Sequence, residues 1–289
     1  MAISDRRVLI IYDDLLLDSS TIVSGTGWSN SVDYVSSTQL SKKAVASANT
    51  STIALDLQRT RQLSAFALPS HTLSEDSTWR IRLSDNSTLL SLPDTVPTGE
   101  ILYDSGIVDV WPDITSLTDI PYSEYSGWLS EIEDIANPPA FLYSTTTIGA
   151  RYCHISFTDP NSTDFSVAKL VIGPTWRPSN GISPGWKMAY KGTRKPQRLP
   201  GGAVFTEEQK RYKQLSFSCR YLTQEEALLE AALLDRVYAL KTPFVCLLDP
   251  QDLENRHRLF IYGTNSKITP FSTQQYGLFS KSLIIDEWL

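Results

Sequence analysis

Cysteine is scarce in this chain, with only Cys153, Cys219 and Cys246 among 289 residues. An odd number at such wide spacing gives neither a disulfide framework nor a zinc pattern, and it suits folding in a reducing compartment. Histidine is equally rare. His71, His154 and His257 never fall at H-x-x-x-H or H-E-x-x-H spacing, so no metal is expected. No G-x-S-x-G elbow, P-loop or G-x-G-x-x-G occurs, and Gly25-Thr26-Gly27 lacks the helix that would cradle a phosphate. No catalytic residue and no cofactor are therefore assigned, and the chain is expected not to be an enzyme. Glu131, Glu133 and Asp134 lie close together, but neighbouring carboxylates are common on any acidic surface and do not by themselves make a hydrolytic pair. Long apolar runs are missing as well. The run 8–12 is too short for a signal-peptide core or a membrane span, so synthesis in the cytoplasm and no membrane insertion are expected.

What is present is ordinary globular material, 41 % hydrophobic and 20 % charged, in a length that suits two domains with sizeable cores. Charge divides unevenly. Residues 187–289 hold fifteen Lys and Arg against eleven Asp and Glu, a balance of +4, so residues 1–186 carry −10 of the overall −6. Nucleic acid is not expected as a partner of so acidic a chain, because phosphate contacts need clustered Lys and Arg.

The first part reads as all-β. Residues 79–84 alternate, with Trp79, Ile81 and Leu83 on one face and Arg80, Arg82 and Ser84 on the other, which is the period of a half-buried strand. Short runs at 8–12, 53–57, 63–68, 151–157 and 167–172 repeat the theme, separated by polar turns such as 58–62. Asp159-Pro160-Asn161 with Asp164 is read as a β-turn in preference to a calcium loop, whose ligand spacing it lacks. These strands predict a β-sandwich over 1–173.

Residues 174–202 hold five Gly and five Pro, and 187–198 carry Lys187, Lys191, Arg194, Lys195 and Arg198 with no acidic residue. They read as a basic connector. Residues 203–289 read as a small α+β domain with one main helix over 224–240. Its strand 213–221 places Leu215, Phe217 and Cys219 on one face. Thr223 with Glu226 forms a capping box worth about 1 kcal/mol, and Pro243 blocks continuation. The helix has two apolar stripes. Leu229, Leu233, Val237 and Leu240 form the first, expected to face the core, so that truncating Leu233 would cost about 2–5 kcal/mol. Ala227, Ala231, Leu234 and Tyr238 form the second, which either the chain itself or another subunit must cover.

Trp111, Tyr122, Tyr125 and Trp128, interspersed with Asp113, Asp119 and Glu124, are the candidate glycan contacts. Flat apolar faces stack on sugar rings while carboxylates accept from hydroxyls. The competing reading is that these aromatics pin a long loop to the sandwich.

Residues 53–84, IALDLQRTRQLSAFALPSHTLSEDSTWRIRLS, resemble the galactose-binding-like jelly roll. There a strand ending near an Asp, here Asp56, is followed by a polar turn and further strands. Residues 155–178, ISFTDPNSTDFSVAKLVIGPTWRP, resemble the closing segment of such domains in phage tail proteins. The stretches 201–221, 224–240, 245–250 (VCLLDP) and 260–263 (FIYG) are similar to distal-tail-like or minor tail proteins of long-tailed bacteriophages. That resemblance implies a virion component of the tail tip or baseplate, made in the host cytoplasm. It would form a ring of copies at the end of the tail tube and link it to hub or fibres, with Tyr238, Lys191, Arg194, Lys195 and Arg198 as inter-subunit contacts. Alternatively the first domain is an adhesion module touching host glycans.

Overall fold

The period-two runs of the N-terminal part become strands in a computed structural model of the chain, which describes residues 8–111, 138–192, 197–198, 204–205, 211–238, 240–252 and 256–288. In order these are β1 (Leu9–Ile11), β2 (Ile22–Thr26), β3 (Ala44–Val45), β4 (Thr50–His71), β5 (Thr78–Ser84), β6 (Ile101–Asp104), β7 (Val108–Asp109), β8 (Ala140–Thr158), β9 (Ser166–Gly173) and β10 (Thr175–Trp176). Together with Asp249–Phe260 they make one unit, Leu9–Trp176.

The expectation of separate strands at 53–57 and 63–68 is corrected. β4 is one strand of 22 residues, bent where four of its residues, 57–60, face one residue of β8, Arg151. Such an excess on one strand bends it and sharpens its twist. Asp56 holds the bend. Its carboxylate accepts from the backbone N–H of Gln58 at 2.7 Å and, through both oxygens, from the Arg151 guanidinium at 2.9 and 3.0 Å. Gln58 sits at φ +63°, a left-handed conformation that this turn imposes. The compensating bulge lies on β8, where residues 144–147 face Ser64 alone.

The bends let β4 and β8 serve two layers. Their first-layer halves pair residues 50–56 with 152–158, flanked by β2 on β4 and by β5, β6 and β7 beyond β8. Their other halves pair 61–68 with 140–150, flanked by β9 and then β3. Ile53, Leu55, Trp79, Ile81, Ile155 and Phe157 of the first layer join Phe66, Leu68, Val167, Leu170 and Ile172 of the second in one core.

β9 is buried along its whole length, Lys169 included. Lys169 Nζ lies 2.6 Å from the Asp14 carboxylate and 3.1 Å from the Ser36 carbonyl oxygen, while Asp14 also accepts from the backbone N–H of Leu16 and Ile172. The last residue of the strand is Gly173, where a Cβ would sit 2.0 Å from the Asp13 carbonyl oxygen.

The remaining strands are β11 (Lys187–Lys191), β12 (Gln197–Arg198), β13 (Val204–Phe205), β14 (Tyr212–Leu222), β15 (Phe244–Leu247), β16 (Phe260–Asn265), β17 (Ser272–Gln275) and β18 (Leu278–Glu287). A second unit comprises Met1–Val8, Arg177–Leu248 and Ile261–Leu289, in which the sheet runs β15-β16-β18-β14-β11, with β17 also on β18. The connector reading of 174–202 is corrected here, because Lys187–Lys191 is a sheet strand paired with β14 along its whole length. Leu215, Phe217 and Cys219 of β14 are buried together as expected. β16 approaches β18 so closely that a Cβ on Gly263 would lie 2.0 Å from the Asp286 carbonyl oxygen.

The helix begins as expected. The backbone N–H of Thr223 donates to the Glu226 carboxylate at 2.9 Å, and that of Glu226 donates to the Thr223 hydroxyl at 3.2 Å. It then winds with wide π-type turns over Glu226–Ala231 and Leu234–Tyr238. Its orientation is the reverse of the expected one. Ala227, Ala231 and Leu234 are buried, whereas Leu229 is 60 % and Leu240 57 % exposed. Polar ties set this rotation. Glu226 also accepts from the backbone N–H and hydroxyl of Ser179, both at 2.6 Å, and Asp235 pairs with Lys281 of β18, itself buried. The two alanines then allow close approach to the sheet; of the other stripe Leu229 and Leu240 face outward, Leu233 is half-buried, and the Val237 side chain lies outside the described residues.

Candidate functional site

Because Trp79, Ile81 and Leu83 point inward, Arg80, Arg82 and Ser84 share the outer face of the first layer with Tyr152, His154 and Ser156 of β8. Register places Ala54, His154, Arg82 and Asp104 in one row across four strands. Arg80 donates to both oxygens of Asp104, at 2.9 and 2.5 Å. Arg82, only 6 % exposed, donates to the Pro93 carbonyl oxygen and to Asp94, each at 2.7 Å. The short helical turns of residues 87–100 lie over this row, and Leu89 and Val96 pack on Tyr152. The row is therefore polar and charged, but its ions pair with each other. Hydrogen bonds from Arg82 and Arg80 hold the Asp94 and Asp104 carboxyls below the usual range. Burial first, then the Arg82 charge, lowers His154 to about 4, so it is neutral at pH 7.

A second cluster sits at the end of β4. His71 donates from Nε2 to the Pro138 carbonyl oxygen at 2.9 Å and accepts at Nδ1 from the Leu73 backbone N–H at 3.2 Å. The Leu73 carbonyl oxygen accepts from the Trp111 indole N–H at 2.8 Å, and the Trp111 ring packs against the core. Of the candidate glycan contacts, then, Trp111 is packed against the core and hydrogen-bonded to Leu73. Tyr122, Tyr125 and Trp128 lie outside the described residues, as do Glu131, Glu133 and Asp134. We expect Trp111→Ala to lower the unfolding free energy by about 3–5 kcal/mol in denaturant titration, as loss of a packed aromatic does; a change below about 1 kcal/mol would mean that the ring is not an anchor.

Asp159, fully buried, accepts from the backbone N–H and hydroxyl of Ser74 at 2.8 and 2.6 Å and from the Asn161 N–H at 3.0 Å, which makes the D-P-N turn a hydrogen-bonded clamp. Among the described residues no group of three or more His, Cys, Asp or Glu side chains could hold a metal ion, and no helix is long and apolar enough to cross a membrane. All three cysteines are buried; burial pushes the Cys219 thiol up to about 12 and raises Cys153 and Cys246 as well, which leaves no thiolate nucleophile.

His71 makes stability depend on pH. Its folded-state value is lowered to about 4 from the usual 6.5 by burial, which outweighs the opposing hydrogen bond to the Pro138 carbonyl oxygen. The unfolded chain binds a second ring proton more readily, so this contribution is complete above pH 6.5 and is lost as pH falls toward 4. Asp18, Asp56, Asp94 and Asp104 keep their own contributions until lower pH, since their values are held below 3.8. We expect unfolding free energies from urea titration to fall between pH 6.5 and 4.5, by up to about 3 kcal/mol for His71 at the acid end, and His71→Gln to remove that share of the slope while His154, also lowered to about 4, keeps its own.

In the second unit, Leu228, Leu229 and Leu240 are more than half exposed and Tyr221, just before the helix, is 46 % exposed at φ +61°. Lys191 is exposed on β11, Arg194 and Lys195 lie outside the described residues, and only the backbone of Arg198 and Tyr238 is described. The described members of the Tyr238 stripe are covered by the chain itself. Sequence reasoning missed the outer-face row. The alternation of Arg80 and Arg82 was visible, but their carboxylate partners lie 12 and 24 residues away and form no motif.

The fold is mainly β, a jelly-roll type sandwich with an α+β unit bearing one main helix. No protein-family model and no curated protein matches the chain. Among solved structures it is similar to chitosan-binding module 1 of a chitosanase/glucanase from Paenibacillus sp. IK-5, at 11 % identity and TM-score 0.34 over 56 % of this chain and 99 % of that one. It is similar also to the CBM32 of AlyQ in complex with 4,5-unsaturated mannuronic acid, at 16 % and 0.33 over 56 % and 96 %. A third is the lectin binding domain of lectinolysin complexed with Lewis b, at 8 % and 0.33 over the same shares. None of the three is a phage tail protein, and at these identities the likeness says nothing of what this chain binds.

Proposed function

We propose that this chain is a non-catalytic component of a larger protein assembly, and that the assembly is the tail tip of a long-tailed bacteriophage, as the sequence resemblance implies. The observation that carries the assembly role is the adjacent pair Leu228 and Leu229, 56 and 60 % exposed on the main helix of the second unit, with Leu240, 57 % exposed, just past it. Apolar side chains grouped in this way mark a surface that a partner covers. The double change Leu228→Asp and Leu229→Asp removes no fully buried side chain, so it is expected to shift thermal unfolding of the pure protein only slightly while abolishing its incorporation into tails, scored by immuno-electron microscopy. Incorporation at the level of the unchanged protein would refute the assembly role of this face.

A second reading makes the sandwich a glycan-binding module, as the named neighbours are. Its support in this chain is the outer-face row, where the Arg80–Asp104 pair remains about one-third exposed and offers donors and acceptors side by side to sugar hydroxyls. A glycan array on the purified protein, repeated with Arg80→Ala and Asp104→Ala, tests it. Reproducible binding lost in both variants supports the reading, and an array without binding ends it. Trp111→Ala is unsuited to this purpose, since its effect on folding would mimic loss of binding.

A further inference from the structure

The edge of the second unit's sheet is a strand with a chemical preference. β11 pairs with β14 from Lys187 opposite Ser216 to Lys191 opposite Tyr212. Among the described residues it has no strand on its other side. Alternate backbone N–H and C=O groups of β11 therefore point away from the sheet, a ready template for another strand. The side chains sort by face. Lys187, Ala189 and Lys191 lie on one face and are exposed. Met188 and Tyr190 lie on the other, Tyr190 64 % exposed.

We propose that the β11 edge takes an acidic strand from another protein of the assembly by strand addition. This rests on the assembly role proposed above and names one of its contacts. Charge chooses the occupant. The two lysines, four residues apart, stand about 13 Å from each other along the strand, and the strand carries no acidic residue. A strand with carboxylates four positions apart on one face, and apolar residues between them on the other, would set both carboxylates against lysines and lay its apolar side chains on Met188 and Tyr190. A second copy of β11 is excluded as occupant by the same charges. Antiparallel pairing of two such strands about Ala189 sets each Lys187 against the other Lys191, and like charges directly opposed destabilise a strand pair. Edge lysines do commonly guard a sheet against aggregation; a guard repels every incoming strand, whereas this edge would discriminate by charge.

The test uses the full chain and two synthetic peptides, each alternating valine and threonine, one with glutamates and one with lysines four positions apart. Amide exchange of residues 187–191 is followed by NMR at low and high salt. Alternate amides are expected to gain protection with the glutamate peptide, at least tenfold more tightly than with the lysine peptide and less tightly at high salt. Lys187→Glu with Lys191→Glu is expected to reverse the preference. Equal binding of the two peptides, no protection by either, or concentration-dependent protection without peptide would each overturn the proposal. None of these bears on whether the Leu228 and Leu229 change blocks incorporation, so strand addition and the assembly role fail separately.

Discussion

Replacing Lys169 by Met is expected to cost about 3–5 kcal/mol of folding free energy, among the largest single-residue losses in the chain. The lysine is fully buried in the middle of β9, and its partner Asp14 is 3 % exposed in its side chain. Removing the ammonium leaves a buried carboxylate whose remaining donors are two backbone N–H groups, those of Leu16 and Ile172. The loss comes from that uncompensated charge more than from the absence of the attraction, so the two partners should not behave additively. Changing both, Lys169→Met with Asp14→Leu, is expected to recover part of the stability, whereas independent effects would sum. Urea titrations of the two single variants and the double variant make the comparison. A Lys169→Met midpoint within error of the unchanged protein would show that the pair is not buried as described.

Leu234→Ala is expected to destabilise by about 2–5 kcal/mol, and Leu229→Ala by less than about 1 kcal/mol. Leu234 is wholly buried under the helix and Leu229 faces out. The same titrations decide between the two stripes; a larger loss at Leu229 would mean that the helix is rotated with its leucines inward.

These residues also show where sequence reasoning succeeds and where it stops. The capping box of Thr223 and Glu226 and the alternation of β5 and β14 were legible because each is settled within a few neighbours. Which helix stripe lies inside was not. Amphipathic spacing gave two candidates, and the leucines made the larger apolar face. The choice rests on ties from Ser179 and Lys281, 47 and 46 residues away in sequence from their partners. The bend of β4 escaped for the same reason, since Asp56 finds its guanidinium 95 residues on, at Arg151. β11 was read as connector because its strand state comes from pairing with β14, while its own residues carry no apolar period. At the sandwich, Trp111 reads more readily as packing than as a sugar platform, but its hydrogen-bond partner, the Leu73 carbonyl oxygen 38 residues earlier, leaves no mark in the sequence.

The cluster of His71, Leu73, Trp111 and Pro138 has a consequence for how the sandwich tolerates change. Trp111 and Pro138 are both fastened to the three positions 71–73, although they stand far apart in the sequence. A change of backbone path at these three positions would therefore be felt at both ends at once, so this short stretch acts as a shared anchor rather than as two independent contacts.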